Sequence, residues 1–380
     1  MNKKNNDFFF EHYEKNAVPS IFKEIFYIQE KNNFVNHNYN LEENLSVLNS
    51  VMFVPSYTIP KVDETIFNTK KVKHFFKGYA IELEDFNSVD DYLKFRFRKN
   101  SKSILKKVKR LEHCFHISYH FYFGKISKKD YNFFMSQLKE MIAKRFQQRG
   151  DVSQNLLNWE HYHKIFFNLI NDKKASLFVI KNNDEPICIS ISNHFNGKMF
   201  SSVSSYNIDY GKFSLGNTEI YKKLEWCLKN NHNTYEMGMG DLSYKQEWSS
   251  NIYNFEHQIV YPKKSYFISL MAHLEFIKIY LKEAVYKLAY VRYKNFKSRF
   301  KKVNCFDEDY KIIENTTEDF KNVSKIDYNA RENQYLRKAI FDFLYSNIEQ
   351  EKDITVNQIS KLEKTFIING KFNSQTIQFN

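Results

Sequence analysis

Apolar positions along this chain fall into short runs and helix-period stripes. Val51 to Tyr57 and His74 to Leu83 read as strands. Ser88 to Glu112 reads as a helix, with Ser88 at the N-cap and Asp90 and Asp91 in the first turn, where carboxylates meet unpaired amides. Leu93, Phe97, Ile104, Val108 and Leu111 form its apolar stripe. Phe115 to Phe123 alternates as a strand does. Two further helices follow, Ser127 to Phe146 and Trp159 to Ile170, the first carrying Phe133, Phe134, Leu138 and Ile142 at helical spacing.

An antiparallel set comes next. Ala175 to Ile180 leads through a polar turn, Asn182 to Pro186, into Ile187 to Phe195. Asn196-Gly197 is a strong two-residue hairpin signal, and Lys198 to Tyr206 is the returning strand. A polar loop, Asn207 to Ser214, opens onto a helix from Leu215 to Lys229. Thr234 to Met237 and Tyr253 to Val260 are the last strands expected before one long basic helix, Ser265 to Phe300. Asn304 to Asn329 reads as a linker, and Gln334 to Glu349 as a helix with Leu336, Ile340, Phe343 and Leu344 on one side. The class expected is α/β (α+β), in segments 1–125, 126–262, 263–302 (the long helix) and 303–380 (linker and helical extension).

The 380 residues suffice for two or three domains. Four cysteines, Cys114, Cys188, Cys227 and Cys305, stand far apart without a CxxC pair, so a zinc ribbon or disulfide framework is not expected. No run approaches a membrane span, and Phe8-Phe9-Phe10 is too short for a signal core, which points to the cytoplasm. No metal is expected: His161 and His163 face different sides of one helix, and His113, His116 and His120 lack partners at zinc spacing.

The formal net charge is +13. It is concentrated in residues 88–110 and 263–302, whereas 303–380 is slightly acidic. Two such patches suit an anionic partner, whether a nucleotide, a nucleic acid or an anionic membrane surface, or else are solvated helix faces.

The most informative stretch is Tyr235-Glu236-Met237-Gly238-Met239-Gly240-Asp241-Leu242-Ser243-Tyr244-Lys245-Gln246-Glu247-Trp248, preceded by Tyr206 to Gly216. Together they resemble the CelD-like acetyltransferases of polysaccharide biosynthesis, within the GNAT superfamily and distantly similar to FemAB-like enzymes. The likeness lies in a Tyr-Asp loop, a small-residue helix start, and an acidic-aromatic strand ending in Gly-Asp-x-x-Tyr-Lys. Leu215 stands where proline is usual, and Glu236 where aspartate is common. Tyr92 to Glu112, ending Arg110-Leu111-Glu112, resembles the family's basic helix. The resemblance covers roughly residues 75–260 and implies tandem GNAT-like domains with central mixed sheets. It also implies acyl transfer from acetyl-CoA or another acyl-CoA to an amine or hydroxyl of a small molecule or glycan precursor.

Acyl transfer from a thioester requires a held donor, a deprotonated acceptor and a protonated leaving thiolate. Lys212, Ser214, Leu215 and Gly216 at a helix start are the candidates for donor phosphates, since free amides there bind anions. The other reading is a plain N-cap. Asp241 could orient or deprotonate the acceptor, or brace the turn. Glu236 joins it as a catalytic candidate through the resemblance. Tyr244 falls where GNAT enzymes often place a general acid. Lys245 contacts substrate or forms a structural ion pair with Asp241 or Glu236. Two alternatives stay open: an aminoacyl-tRNA-dependent transferase, and a non-catalytic protein binding nucleic acid or the inner membrane face.

Overall fold

The computed structural model describes residues 2–300, 310–313, 323–359 and 364–379, the side chains of 294–300 excepted. The chain is mixed α/β, as its patterning predicts. Packing divides it into two compact units that interleave along the sequence: residues 1–86, 193–201 and 227–301 in the first, 87–192, 202–226 and 302–380 in the second.

In the first unit, strand Asn2–Asp7 runs parallel to Val47–Pro55. Asn251–Pro262 then pairs antiparallel with Val47–Pro55 on one side and Phe67–Glu82 on the other. Phe67–Glu82 pairs antiparallel with Thr234–Met239, whose far side runs parallel to the start of Lys198–Tyr206. That parallel ladder ends at Phe200 opposite Glu236. A separate antiparallel sheet, Asn32–Val35, Glu24–Tyr27 and Thr58–Lys61, completes the unit's β-structure. Phe8, Phe22, Ile25, Val51 and Val260 share one core cluster. The helix Tyr266–Phe300 covers another through Ile268, Ala272 and Ile279.

In the second unit, Ile117–Tyr122 pairs antiparallel with Ala175–Asn182. Helix Lys128–Arg149 starts as the sequence predicts, Ser127 accepting from the Asp130 amide at 3.0 Å, and stops at left-handed Gly150. Phe134, Leu138 and Ile142 pack with Phe166 and Ile170 of helix Trp159–Asn171. Back in the first unit, Asn196-Gly197 makes the expected tight turn, with φ of 44° and 70°.

Two expectations change. The single helix from Ser88 to Glu112 is broken into Val89–Phe97 and Ser101–Cys114, with Arg98 at φ 50° and Ser101 Oγ donating to its carbonyl at 2.8 Å. Arg98, Lys99 and Asn100 are all polar and exposed, so no burial rewards a continuous stripe there. The C-terminal extension holds the expected helix, Arg337–Asn347, but beside an antiparallel sheet in the order Tyr310–Ile313, Ser374–Phe379, Thr365–Asn369, Thr355–Ile359, Val323–Ile326. Ile340, Phe341 and Leu344 of that helix share a core with Tyr210, Phe213 and Leu215. Most of the expected linker, 304–309 and 314–322, lies outside the described residues, as does Cys305.

Candidate active site

The site on strand Thr234–Met239 begins with a missing side chain. A Cβ on Gly78 would lie 2.1 Å from Tyr253 Cζ, so only glycine lets the Tyr253 ring cross strand Phe67–Glu82. Gly78 is directly opposite Tyr253, and Ala80 is opposite Glu236, so all four lie on one face of the sheet. The register slips between Glu236 and Gly238, where Gly238 has φ 69°. This bulge aims the Gly238 amide at Glu236 Oε1, 2.7 Å away.

Glu236 is buried among tyrosines. Tyr57 donates to its Oε2 at 3.1 Å, and the Tyr13 and Tyr57 hydroxyls are 2.5 Å apart. Burial pushes the carboxyl up to about 7, against the opposing pull of the Tyr253 hydroxyl, the Gly238 amide and the Tyr57 hydroxyl. A buried carboxyl poised near neutrality can take up and return a proton at working pH. Burial, reinforced by the Glu236 charge, holds all three phenols well above their ordinary range, so they serve as neutral donors.

Asp241 belongs to a different environment. Tyr79, between Gly78 and Ala80, points to the opposite face and donates to Asp241 Oδ1 at 3.2 Å. Tyr290 donates to Oδ2 at 3.3 Å, and the Gln246 amide donates to Oδ1. These groups, with Phe75, Phe76, Lys77 and Ile252, line a cleft of about 350 Å³. Asp241 is thus an exposed carboxylate held by three donors at a cleft wall, while Glu236 is an enclosed one.

The remaining candidates divide as follows. Lys245, expected to pair with Asp241 or Glu236 or to contact substrate, is buried, and its ammonium donates to the Met239 carbonyl at 2.7 Å. Burial pulls Lys245 down to about 8, with the Glu236 charge opposing. Tyr244, on the short helix Ser243–Trp248, is 42% exposed, unlike the enclosed tyrosines around Glu236.

The donor candidates lie in the second unit. Ser214 has a left-handed backbone (φ 55°, ψ 50°), not the extended one of a side-chain cap, and its carbonyl accepts from Asn217 N at 2.9 Å. Leu215 is buried, so it offers its backbone alone. A Cβ on Gly216 would meet only Tyr206 Cε1 at 3.9 Å, so the space beside this first turn is open, as a bound phosphate would need. Lys212 Nζ lies 3.7 Å from Asp342 Oδ2 of the C-terminal helix. Among the described residues no three His, Cys, Asp or Glu side chains gather as a metal site.

The sequence reading missed Tyr13, Tyr57, Tyr253, Gly78, Tyr79 and Tyr290. With 26 tyrosines in the chain, none stands out, and their convergence depends on strand pairings far apart in sequence.

Residues 98–246 match the profile of the acetyltransferase (GNAT) domain. It spans the basic helix, the donor candidates and the Glu236–Lys245 segment. Nothing matches among curated proteins. Solved structures resemble the chain at low identity. A conserved protein of unknown function from Bacteroides thetaiotaomicron VPI-5482 is 8% identical, over 56% of this chain and 69% of that one, with a TM-score of 0.38. FemX is 12% identical over 52% and 64%, with a TM-score of 0.37. L-PGS from Bacillus licheniformis is 13% identical over 70% and 93%, also with a TM-score of 0.37. At these scores none of them carries a functional argument.

Proposed function

We propose that this chain is an acyl-CoA-dependent N- or O-acyltransferase acting on a small polar acceptor such as a sugar or amino-sugar precursor. The CelD-like motifs support that acceptor class. The observation that carries the reading is the Glu236 carboxyl, enclosed and held near pH 7 within the GNAT-matched stretch. It sits where the parallel ladder with Lys198–Tyr206 stops, leaving Met237–Met239 without partners on that edge. Unpaired backbone at the carboxyl end of parallel strands is a common place for a ligand.

The bound donor would supply an activated acyl group as its thioester. Within the second unit, the open first turn at Ser214–Gly216, with Lys212, is the candidate to bind the donor's phosphates. Glu236 accepts the acceptor's proton, with Tyr57 and Tyr13 as neutral hydrogen-bonded relays behind it. Asp241, fixed by Tyr79, Tyr290 and Gln246 on the other face of the sheet, braces the turn after the strand and does not share the acceptor with Glu236. Lys245, buried and drawn down to about 8, is the candidate to return a proton to the leaving sulfur; Tyr244, which the motif also nominates, is half exposed.

The test is thiol release from acetyl-CoA with a panel of amines and amino sugars, alongside calorimetric titration of acetyl-CoA and of aminoacyl-tRNA. Glu236→Gln should keep the fold and donor affinity while turnover falls about 10²–10⁴-fold. Gly216→Glu should weaken donor binding at least about tenfold. Tight tRNA binding with no acetyl-CoA binding would replace this reading with the aminoacyl-tRNA-dependent one.

A further inference from the structure

The helix Tyr266–Phe300 buries one face and leaves the other uncovered. Ile268, Ala272 and Ile279 pack on the first unit's sheet. On the opposite side Phe267, Leu270, Leu274, Ile277, Leu281 and Leu288 are all half exposed or more, from 50% at Leu270 to 61% at Leu288. Their spacing of three and four residues draws one continuous apolar stripe at about 100° per residue.

The charges on this helix are sorted by side. Its two acids both turn inward: Glu275 pairs with Lys3 at 2.7 Å, and Glu283 accepts from His74 Nδ1 at 2.9 Å and the Phe75 amide at 2.8 Å. At helical spacing Lys278 borders the stripe, Arg292 falls in line with Leu274, and Lys282 and Lys287 stand on the two flanks between the stripe and the buried face, all exposed. Exposed Lys71 and Lys73 line a cleft of about 660 Å³ with Lys287.

We infer that this face docks on an anionic lipid bilayer surface, its leucines entering the headgroup boundary and its lysines meeting lipid phosphates. An apolar stripe edged by cations, with every described acid turned away, is the pattern of a helix lying in a membrane interface. No described helix is long and apolar enough to cross a membrane. A second copy of this chain suits the face less well: symmetric pairing along the stripe would set Lys278, Lys282 and Lys287 against like charges. A nucleic acid suits it less well too, because among the described residues the centre of the face is apolar but for Arg292, too few cations to track a phosphate backbone. The inference is independent of the acyl-transfer reading.

The test is flotation of the full chain with phosphatidylcholine vesicles, plain or carrying roughly one third phosphatidylglycerol. Partition should favour the anionic vesicles at least about tenfold and fall with added salt. Leu274→Ser with Leu281→Ser should lower it about tenfold or more at an unchanged melting temperature, since both positions are exposed. Lys278→Glu with Lys282→Glu and Lys287→Glu should reduce binding to the level of neutral vesicles, and this variant decides alone if the serine variant melts early. Equal partition to both vesicles overturns the inference. So does a dimer in sedimentation equilibrium that the serine substitutions dissociate, or tRNA binding, indifferent to them, by a chain that ignores vesicles.

Discussion

Glu219 in one compact unit and Glu236 in the other are both enclosed, and the two are held in opposite states. In the second unit Glu219 accepts an ion pair from Lys223 at 2.8 Å, one helical turn on, and a hydrogen bond from Ser204 at 2.5 Å. Burial raises such a carboxyl, but here the ammonium and hydroxyls outweigh it and hold Glu219 below its ordinary range. In the first unit Glu236 is as deeply enclosed, yet it has only phenols and one backbone amide, and burial prevails. Burial alone therefore does not decide whether a carboxyl is structural or reactive. The donors around it do: the Lys223 charge and hydroxyls outweigh burial at Glu219, as a ring of amides does at Glu349, while the phenols and single amide around Glu236 do not.

The sharpest way to break this comparison is to remove the cation. Lys223→Met leaves Glu219 uncompensated in the interior and should cost about 3–5 kcal/mol in denaturant unfolding. Adding Glu219→Gln should recover most of that loss, because the buried charge goes with its partner. A single substitution as mild as the double one would show that Glu219 is already neutral and that the two sites do not differ.

The pH dependence of stability separates them by sign. Glu219 lies below its ordinary value, so the stability it contributes is present at neutral pH and is lost as pH falls through its lowered folded value. Glu236 is raised from 4.5 to about 7, so between those values the folded state keeps a proton that the unfolded chain has released. Its contribution is full below pH 4.5 and is lost as pH rises through 7, roughly 3 kcal/mol in all. Melting curves from pH 5 to 8 should therefore flatten in Glu236→Gln, while the Glu219→Gln/Lys223→Met pair keeps that slope.

The third test acts on the enclosure itself. Gly78→Ala puts a methyl 2.1 Å from the Tyr253 ring, so the ring must move and admit water to Glu236. Overpacking of this kind costs typically about 1–3 kcal/mol. Resolvation should also return the Glu236 carboxyl toward its ordinary range, read by carboxyl infrared titration. A destabilised protein with an unmoved titration would mean that Tyr253 does not set the Glu236 environment.

The same contrast shows what could be read from the sequence. Local signals survived into the structure: the caps Ser88 and Ser127, the Asn196-Gly197 turn, the helix–meander–helix order and the glycines of the 236–245 segment. Glu236 and Asp241 could be named because motif residues are adjacent in the chain. Their separation onto two faces could not, since it follows from a one-residue bulge and a register set by distant strands. The sheet of the C-terminal extension was missed for a related reason. Its short strands have weak alternation, and their pairing partners lie beyond any local window. Gly78 reads as an unremarkable strand glycine until the Tyr253 ring is placed across it.

The smallest expected effect concerns Tyr244, which the motif nominates as a general acid. It contrasts with Tyr57: both carry a phenol, but one is enclosed against a carboxyl and the other is 42% exposed. A half-exposed phenol gains less as a proton donor than an enclosed one, because desolvation is what strengthens such donors. Tyr244→Phe should therefore change stability by less than about 0.5 kcal/mol, as exposed substitutions do. Turnover should fall by no more than about threefold, against the 10²–10⁴ of a full general acid. Tyr57→Phe, measured in parallel, should lose more turnover and shift the pH–rate profile, since it removes a donor from the carboxyl that titrates near 7. The reverse ranking, with Tyr244→Phe crippling turnover at an unchanged melting temperature, would show that the exposed tyrosine becomes enclosed when substrate binds. Proton return would then belong to the motif residue, and the enclosed tyrosines would merely pack.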